Sequence, residues 1–303
     1  MENFILVLIY ILIGTQLRRL PQFPAETGQV LNQYVLYVAL PALILQKMPL
    51  LEFSSQLWLP AVLPWVLLLI VMGLVLLAGR IWQWDRNLVA ALLVVLPLGN
   101  TSFLGYPLIE AFYGERALPY AIIYDQIGSF IALATYSTIL ATWYNPHARR
   151  PTVGQITFKV LAFPSFIAML LGLAVKGWPY PAFLQLFIDS LAVTLVPVIM
   201  VAVGFQFRLR LEKGESRPLV FALSVKLLLM PALALLLLAG FSPEPLLMQV
   251  SVLQAGMPPM VSAGALAIGA ALAPRMVATL IGLGLVLSFV TLPLWVWLLE
   301  RLA

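Results

Sequence analysis

The feature that most constrains the fold is a succession of long apolar segments, separated by short stretches rich in polar residues, glycine and proline. A helix needs about 20 mostly apolar residues to cross a bilayer. Dividing the chain at these stretches predicts ten spanning helices, at approximately 2–18, 28–48, 57–80, 87–113, 117–144, 155–176, 183–207, 217–240, 246–272 and 275–300. Because 62% of the 303 residues are hydrophobic and only 10% are charged, we expect an all-α integral membrane protein.

The distribution of lysine and arginine predicts the orientation, since cytoplasmic loops are enriched in both. One side of the predicted membrane collects Arg18, Arg19, Arg80, Arg86, Arg149, Arg150, Lys159, Arg208, Arg210, Lys213, Arg217 and Arg275. The other side carries Lys47, Arg116, Lys176 and Arg301. We therefore expect both termini on the outer side of a plasma (inner) membrane. These basic residues are scattered over short loops without interleaved aromatic residues, which argues against nucleic-acid binding.

The amino-acid composition argues against metal and redox chemistry. There is no cysteine, so neither a disulfide nor a thiolate metal site can form, and we expect no cofactor. The single histidine, His147, lies beside Arg149 and Arg150 in a polar stretch, where we expect a solvated side chain.

The two halves of the chain carry similar patterns, which predicts an internal repeat. Pro41 and Pro197 fall at equivalent depths in segments two and seven, while "LPLGNTSFLGYP" in segment four corresponds to "LQAGMPPMVSAG" in segment nine. A five-helix unit crosses the membrane an odd number of times, so its repeat is inverted. We therefore predict a 5+5 inverted repeat, 1–145 and 146–303, as in secondary transporters. Chance similarity between apolar segments is the alternative.

These corresponding stretches predict two broken helices. A helix break in the membrane is tolerated where it faces protein or a wet cavity, and converging half-helix N-termini suit an anion. Ordinary proline-kinked helices are the alternative. The predicted substrate-binding residues are Gly99, Asn100, Thr101, Ser102, Gln254, Gly256, Pro258, Pro259, Ser262 and, as a weaker candidate from segment two, Gln33.

Two charged residues lie near the middle of predicted segments and are functional candidates for that reason. Asp125 and Lys226 are both about nine residues inside their segments, so they could meet near mid-depth. With Gln126, they could tune the charge of the site or exchange partners with a coupling ion. A structural ion pair between them is an equal alternative.

The stretch "GNTSFLGYPLIEAFYGERALPYAIIYD" resembles the fourth-helix signature of the auxin efflux carrier family. The matching residues are Asn100, Thr101, Phe103, Leu104, Gly105, Pro107, Leu108, Phe112, Gly114, Tyr124 and Asp125. The resemblance implies a fold like that of bile-acid symporters and sodium/proton antiporters, in which helices four and nine cross. It also implies a fixed scaffold of helices one, two, six and seven, six moving helices, and organic anions such as auxin or small dicarboxylates as substrates.

This chain departs from the plant carriers of that family in two places. Gly99 stands where the plant carriers have proline before the asparagine, which predicts a more pliable first break. The short run 145–157 replaces their long hydrophilic loop. The chain therefore resembles a short prokaryotic member, for which auxin is a doubtful natural substrate.

These observations together predict a permease that moves a small organic anion by alternating access, and no enzymatic activity. The chain lacks a phosphate-binding loop of the GxxxxGK[ST] kind, which argues against ATP-driven pumping. A channel-like pore and, less favoured, an intramembrane enzyme are the alternatives. The predicted partners are the anion and the lipid bilayer. Coupling to protons or to sodium stays open. The oligomeric state also stays open, and a homodimer is one of the alternatives.

Overall fold

The structure is a computed structural model that describes residues 2–145, 151–206 and 216–302. Within these ranges every regular element is a helix. Six of the residues named above lie outside the described residues, namely His147, Arg149, Arg150, Arg208, Arg210 and Lys213.

The helices follow the predicted apolar segments closely. Their bounds are α1 Glu2–Leu17, α2 Thr27–Leu50, α3 Trp58–Ile81, α4 Arg86–Val95, α5 Gly105–Tyr113, α6 Glu115–Tyr144, α7 Val153–Leu161, α8 Pro164–Ala174, α9 Ala182–Gln206, α10 Ser216–Ala239, α11 Pro245–Ala255, α12 Val261–Gly269 and α13 Pro274–Leu302. Segments four, six and nine are each divided into two helices.

The length and apolarity of these helices confirm a multi-pass membrane protein. In the described part of the chain, six helices are long and apolar enough to cross a bilayer, namely α2, α3, α6, α9, α10 and α13. The α7–α8 pair, bent by 59°, makes a seventh if it counts as one span. The remaining helices are shorter, α1 having 16 residues. Ten crossings and the inverted 5+5 repeat therefore stay predictions.

The chain divides into two compact units. Unit 1 contains the described parts of 1–54, 102–122 and 159–208, and unit 2 contains those of 55–101, 123–158 and 209–303. Each unit therefore takes helices from both of the sequential halves 1–145 and 146–303.

Close contact between α1 and α9 organises unit 1. A Cβ atom on Gly14 would overlap the backbone of Val201, and a Cβ on Gly204 would overlap the backbone of Ile11. Small residues at such positions let two helix backbones approach, which is how many membrane helices associate. Helices α2 and α9 are also joined by the Gln46 amide, which donates to Asp189 at 2.6 Å.

In unit 2, α3 packs against a π-helical stretch of α6, Tyr124–Phe130. A Cβ on Gly128 would overlap the ring of Pro64, so this contact requires glycine. A π-helical turn disturbs the regular hydrogen-bond ladder and frees backbone groups. Trp65 Nε1 donates to the Ile127 carbonyl at 3.2 Å, which satisfies one group in this stretch.

Candidate functional site

Unit 2 contains one complete helix break and most of another, and the two contact each other. The second break, 256–260, separates α11 from α12, and residues 98–100 of the first break, 96–104, lie beside it. Asn100 N–H donates to the Pro258 carbonyl at 2.8 Å, and Met260 N–H donates to the Leu98 carbonyl at 3.1 Å. These bonds satisfy backbone groups that helix interruption frees, and an unsatisfied group would be costly in a bilayer.

Glycine and proline fit this contact because of their shapes. Pro259 lies opposite Gly99 in an antiparallel pair, and the missing proline N–H is not needed since Asn100 and Met260 supply the donors. A Cβ on Gly99 would lie 3.3 Å from the Gln254 carbonyl oxygen, from Lys226 Nζ and from Met257 Cβ. Gly99 therefore allows the close approach of the two breaks.

Two hydrogen bonds connect the first break to α6 and α11, and a third, within α6, supports the first of them. The Thr101 hydroxyl donates to the Asp125 carboxylate, which also accepts from Gln126 Nε2 at 2.8 Å. Gln254 Nε2 donates to the Thr101 carbonyl at 3.2 Å. Thr101, Asp125, Gln126 and Gln254 are all buried. The amide nitrogen of Gln254, expected from sequence to meet a substrate, here holds the backbone of the first break.

Lys226 places a buried amino group at the same contact. Its side chain is 1% exposed, and its Nζ lies 3.4 Å from the Met230 sulfur and beside Gly99. Lys226 forms no ion pair with any residue that the structure describes. The Asp125–Lys226 ion pair that the sequence left open is therefore not formed, and Asp125 is held by Thr101 and Gln126 instead.

Three further polar atoms are buried in unit 2 without a hydrogen-bond partner among the described residues. They are Gln126 Oε1, Ser251 Oγ and Thr291 Oγ1, and Ser251 lies one turn before Gln254 on α11. Buried polar atoms are rarely left unsatisfied, and such atoms mark places where water or a ligand binds.

The structure gathers most of the predicted site residues in unit 2. Those at or beside the two breaks are Gly99, Asn100, Thr101, Asp125, Gln126, Lys226, Gln254, Gly256, Pro258 and Pro259, all of them buried. Ser262 is also in unit 2, but its side chain is exposed on α12. Ser102 and Gln33 belong to unit 1, where Ser102 is half-buried and Gln33 is exposed on α2.

The sequence analysis missed the local backbone form around the buried charges. Asp125 and Gln126 lie in the π-helical stretch Tyr124–Phe130, and Lys226 lies in another, Val225–Leu229. Such turns often occur at functional sites. The residues in these stretches have no composition that distinguishes a π-turn from an ordinary α-turn. The sequence analysis also missed Ser251. In the sequence, only its position one turn before Gln254 indicates that it lies near the site.

Comparison with known proteins extends over almost the whole chain. A family model described as "Membrane transport protein" matches residues 1–296. An uncharacterized transporter of Methanothermobacter thermautotrophicus is 28% identical over 302 residues, covering 97% of this chain and 96% of that protein. An uncharacterized transporter of Methanocaldococcus jannaschii is 25% identical over 308 residues, covering 99% of this chain and 98% of that protein.

Proposed function

Since this chain belongs to the membrane transport protein family, whose auxin efflux carrier type it resembled in sequence, we propose that it is a secondary transporter for a small organic carboxylate. The cargo binds at the two breaks of unit 2 and crosses the membrane by alternating access. The observation that carries this proposal is Lys226, a buried ammonium beside Gly99 that forms no ion pair with the described residues.

The charges around the breaks favour an anion over a cation. A buried ammonium is expensive unless an anion accompanies it, and a carboxylate cargo supplies that anion at Lys226. The negative charge of Asp125 is already stabilised by hydrogen bonds from Thr101 and Gln126. The N-terminus of α12, at Val261, adds a partial positive charge near the second break.

The division of the chain is consistent with alternating access. Unit 1 contains the four helical segments that the family resemblance assigns to a scaffold, 2–18, 28–48, 155–176 and 183–207, apart from the first residues of the third. Unit 2 contains the predicted moving segments, except that α5 and the start of α6 belong to unit 1. In this proposal, unit 2 is the part that carries the cargo.

The proposal is tested by transport in proteoliposomes with a panel of radiolabelled mono- and dicarboxylates. We expect saturable uptake that counter-substrate stimulates, since a carrier must reorient with or without cargo. Lys226→Gln should lower uptake at low substrate about 30-fold or more, because a charge-assisted contact of about 2 kcal/mol is lost. Lys159→Gln, at an exposed lysine of α7, is the matched control and should transport normally.

Two results would contradict the proposal. Flux that rises linearly with substrate concentration and ignores counter-substrate would indicate a pore. Normal carboxylate uptake by a folded Lys226→Gln variant would remove the charge from the mechanism. The melting temperature of this variant reports folding, and we expect no decrease because Lys226 has no ion pair to lose among the described residues.

A further inference from the structure

Unit 1 contains a cavity of about 390 Å³ that the function proposed above does not use. Its walls come from α1, α2, α5, α6 and α9 and are partly apolar, with Leu6, Leu43 and Val196 among the lining side chains. Polar groups are also present, namely Tyr10, Gln46, Lys47, Glu110 and Glu115. Apolar walls with a few polar groups are typical of sites for small organic molecules, and this volume is in their usual range.

The ion pair in this cavity joins two very differently exposed side chains. Lys47 Nζ lies 2.5 Å from Glu115 Oε2, but the Lys47 side chain is 5% exposed and that of Glu115 is 66% exposed. A buried ammonium requires an anion beside it. An exposed carboxylate loses little free energy when it returns to water. Glu115 is therefore an anion that another carboxylate can replace.

The position of Glu115 makes this exchange structurally simple. Glu115 is the first residue of α6 and follows Gly114, whose φ is +78°, so it lies at the start of the helix and not within it. Its side chain can move into water without disturbing a packed helix. Lys47, in contrast, is near the end of α2 and is enclosed by the cavity walls.

Glu110 faces the same number of carboxylates before and after the exchange. The titratable and charged side chains that line the cavity are Tyr10 on α1, Lys47 on α2, Glu110 on α5 and Glu115 on α6. An incoming carboxylate takes the place of the Glu115 carboxylate on Lys47, so the charge beside Glu110 does not change. The exchange therefore needs no proton.

We propose that this cavity is a second binding site, separate from the breaks of unit 2, for an amphipathic organic monocarboxylate. The carboxylate of the ligand replaces Glu115 on Lys47, its apolar body packs against the cavity walls, and the Glu115 side chain moves into water. The inference rests on the proposed function only for the class of ligand, a carboxylate.

Octanoate is the probe, with octylammonium as the cationic and octanol as the neutral control. Calorimetric titrations of the purified full chain, in the Lys226→Gln background, are made at pH 5.5, 6.5 and 7.5 in buffers of different ionisation enthalpy. We expect octanoate to bind with little net proton uptake, because one carboxylate replaces another on Lys47. Its affinity should therefore be nearly the same at pH 6.5 and 7.5.

Four further variants assign the residues. Glu115→Gln should bind octanoate about tenfold more tightly, since it removes a tethered competitor with an effective concentration in the millimolar range. The double variant Lys47→Gln/Glu115→Gln should lose binding without leaving a buried charge. Glu110→Gln should bind octanoate at least as tightly as its parent, since it removes a negative charge from the cavity. Glu52→Gln, at an exposed carboxylate of unit 1 outside the cavity lining, should resemble its parent.

The inference is overturned if octylammonium binds more tightly than octanoate, if the double variant retains full affinity, or if Glu115→Gln binds octanoate no more tightly than its parent. These measurements distinguish a failure of the proposed function from a failure of this inference. Normal transport by Lys226→Gln with octanoate binding as described contradicts only the proposed function. Lost transport by Lys226→Gln, without octanoate binding, contradicts only this inference.

Discussion

At the scale of single residues, the Thr101 hydroxyl connects the first break to a buried carboxylate. Thr101 donates to Asp125 while its carbonyl accepts from Gln254, so one residue contacts both α6 and α11. A hydrogen bond to a charged group contributes about 1.5–3 kcal/mol. This local geometry gives Thr101 a structural role as well as a place in the candidate site.

Thr101→Val should therefore lower the free energy of unfolding by about 1.5–3 kcal/mol, since valine has the same shape but no hydroxyl. Thr101→Ser keeps the hydroxyl and is the matched control, expected to lie much nearer to the parent chain. Thermal unfolding in detergent measures both. Equal melting temperatures for the valine variant and the parent chain would show that the Thr101–Asp125 hydrogen bond contributes nothing.

Gly99 is the second residue with a specific requirement, because three atoms surround the space where a side chain would begin. Gly99→Ala should destabilise the protein by about 1–3 kcal/mol through overpacking. Gly73→Ala on α3 is the control, because no atom lies within 4 Å of its Cβ position and alanine favours helix by up to about 1 kcal/mol. A Gly99→Ala variant as stable as Gly73→Ala would contradict this packing.

At the scale of elements, the second break depends on two consecutive prolines. Pro258 and Pro259 cannot donate the hydrogen bonds that would continue α11 into α12, and residues 98–100 pair with this break instead. The sequence located this interruption because its proline pair is visible. The pairing partner follows from tertiary structure, since it lies about 160 residues away along the chain.

Pro258→Ala/Pro259→Ala should extend α11 toward α12 and weaken the pairing with the first break. We expect faster amide hydrogen exchange in the peptide 96–104, together with reduced transport. Pro274→Ala, at the exposed first residue of α13, is the control because proline is not needed there to interrupt a helix. Unchanged exchange in 96–104 would mean that the pairing does not depend on the prolines.

At the scale of the whole molecule, the orientation in the membrane rests on the lysine and arginine distribution. The chain lacks cysteine, so single-cysteine variants report on one position each. Gln83→Cys should react from the inner side and Trp178→Cys from the outer side, both positions being exposed. Labelling of intact cells with an impermeant maleimide measures this. Labelling of Gln83→Cys but not of Trp178→Cys would show that the orientation is the opposite of the predicted one.

The sequence by itself determined the class of protein, because apolar segments of bilayer length admit few structures other than membrane helices. It also predicted the two breaks, since glycine and proline act locally on the backbone, but it did not predict the division of segment six into α7 and α8. The resemblance of "GNTSFLGYPLIEAFYGERALPYAIIYD" to the auxin efflux carriers was confirmed by the family match over residues 1–296.

Only the tertiary structure decided which groups meet. The partner of Asp125 is Thr101 rather than Lys226, and the amide nitrogen of Gln254 is bound to a backbone carbonyl. The π-helical turns under Asp125 and Lys226, and the cavity around Lys47, likewise have no signature in the sequence. Such contacts depend on distances between residues far apart in the chain, and these distances are set by how the helices pack rather than by local residue preferences.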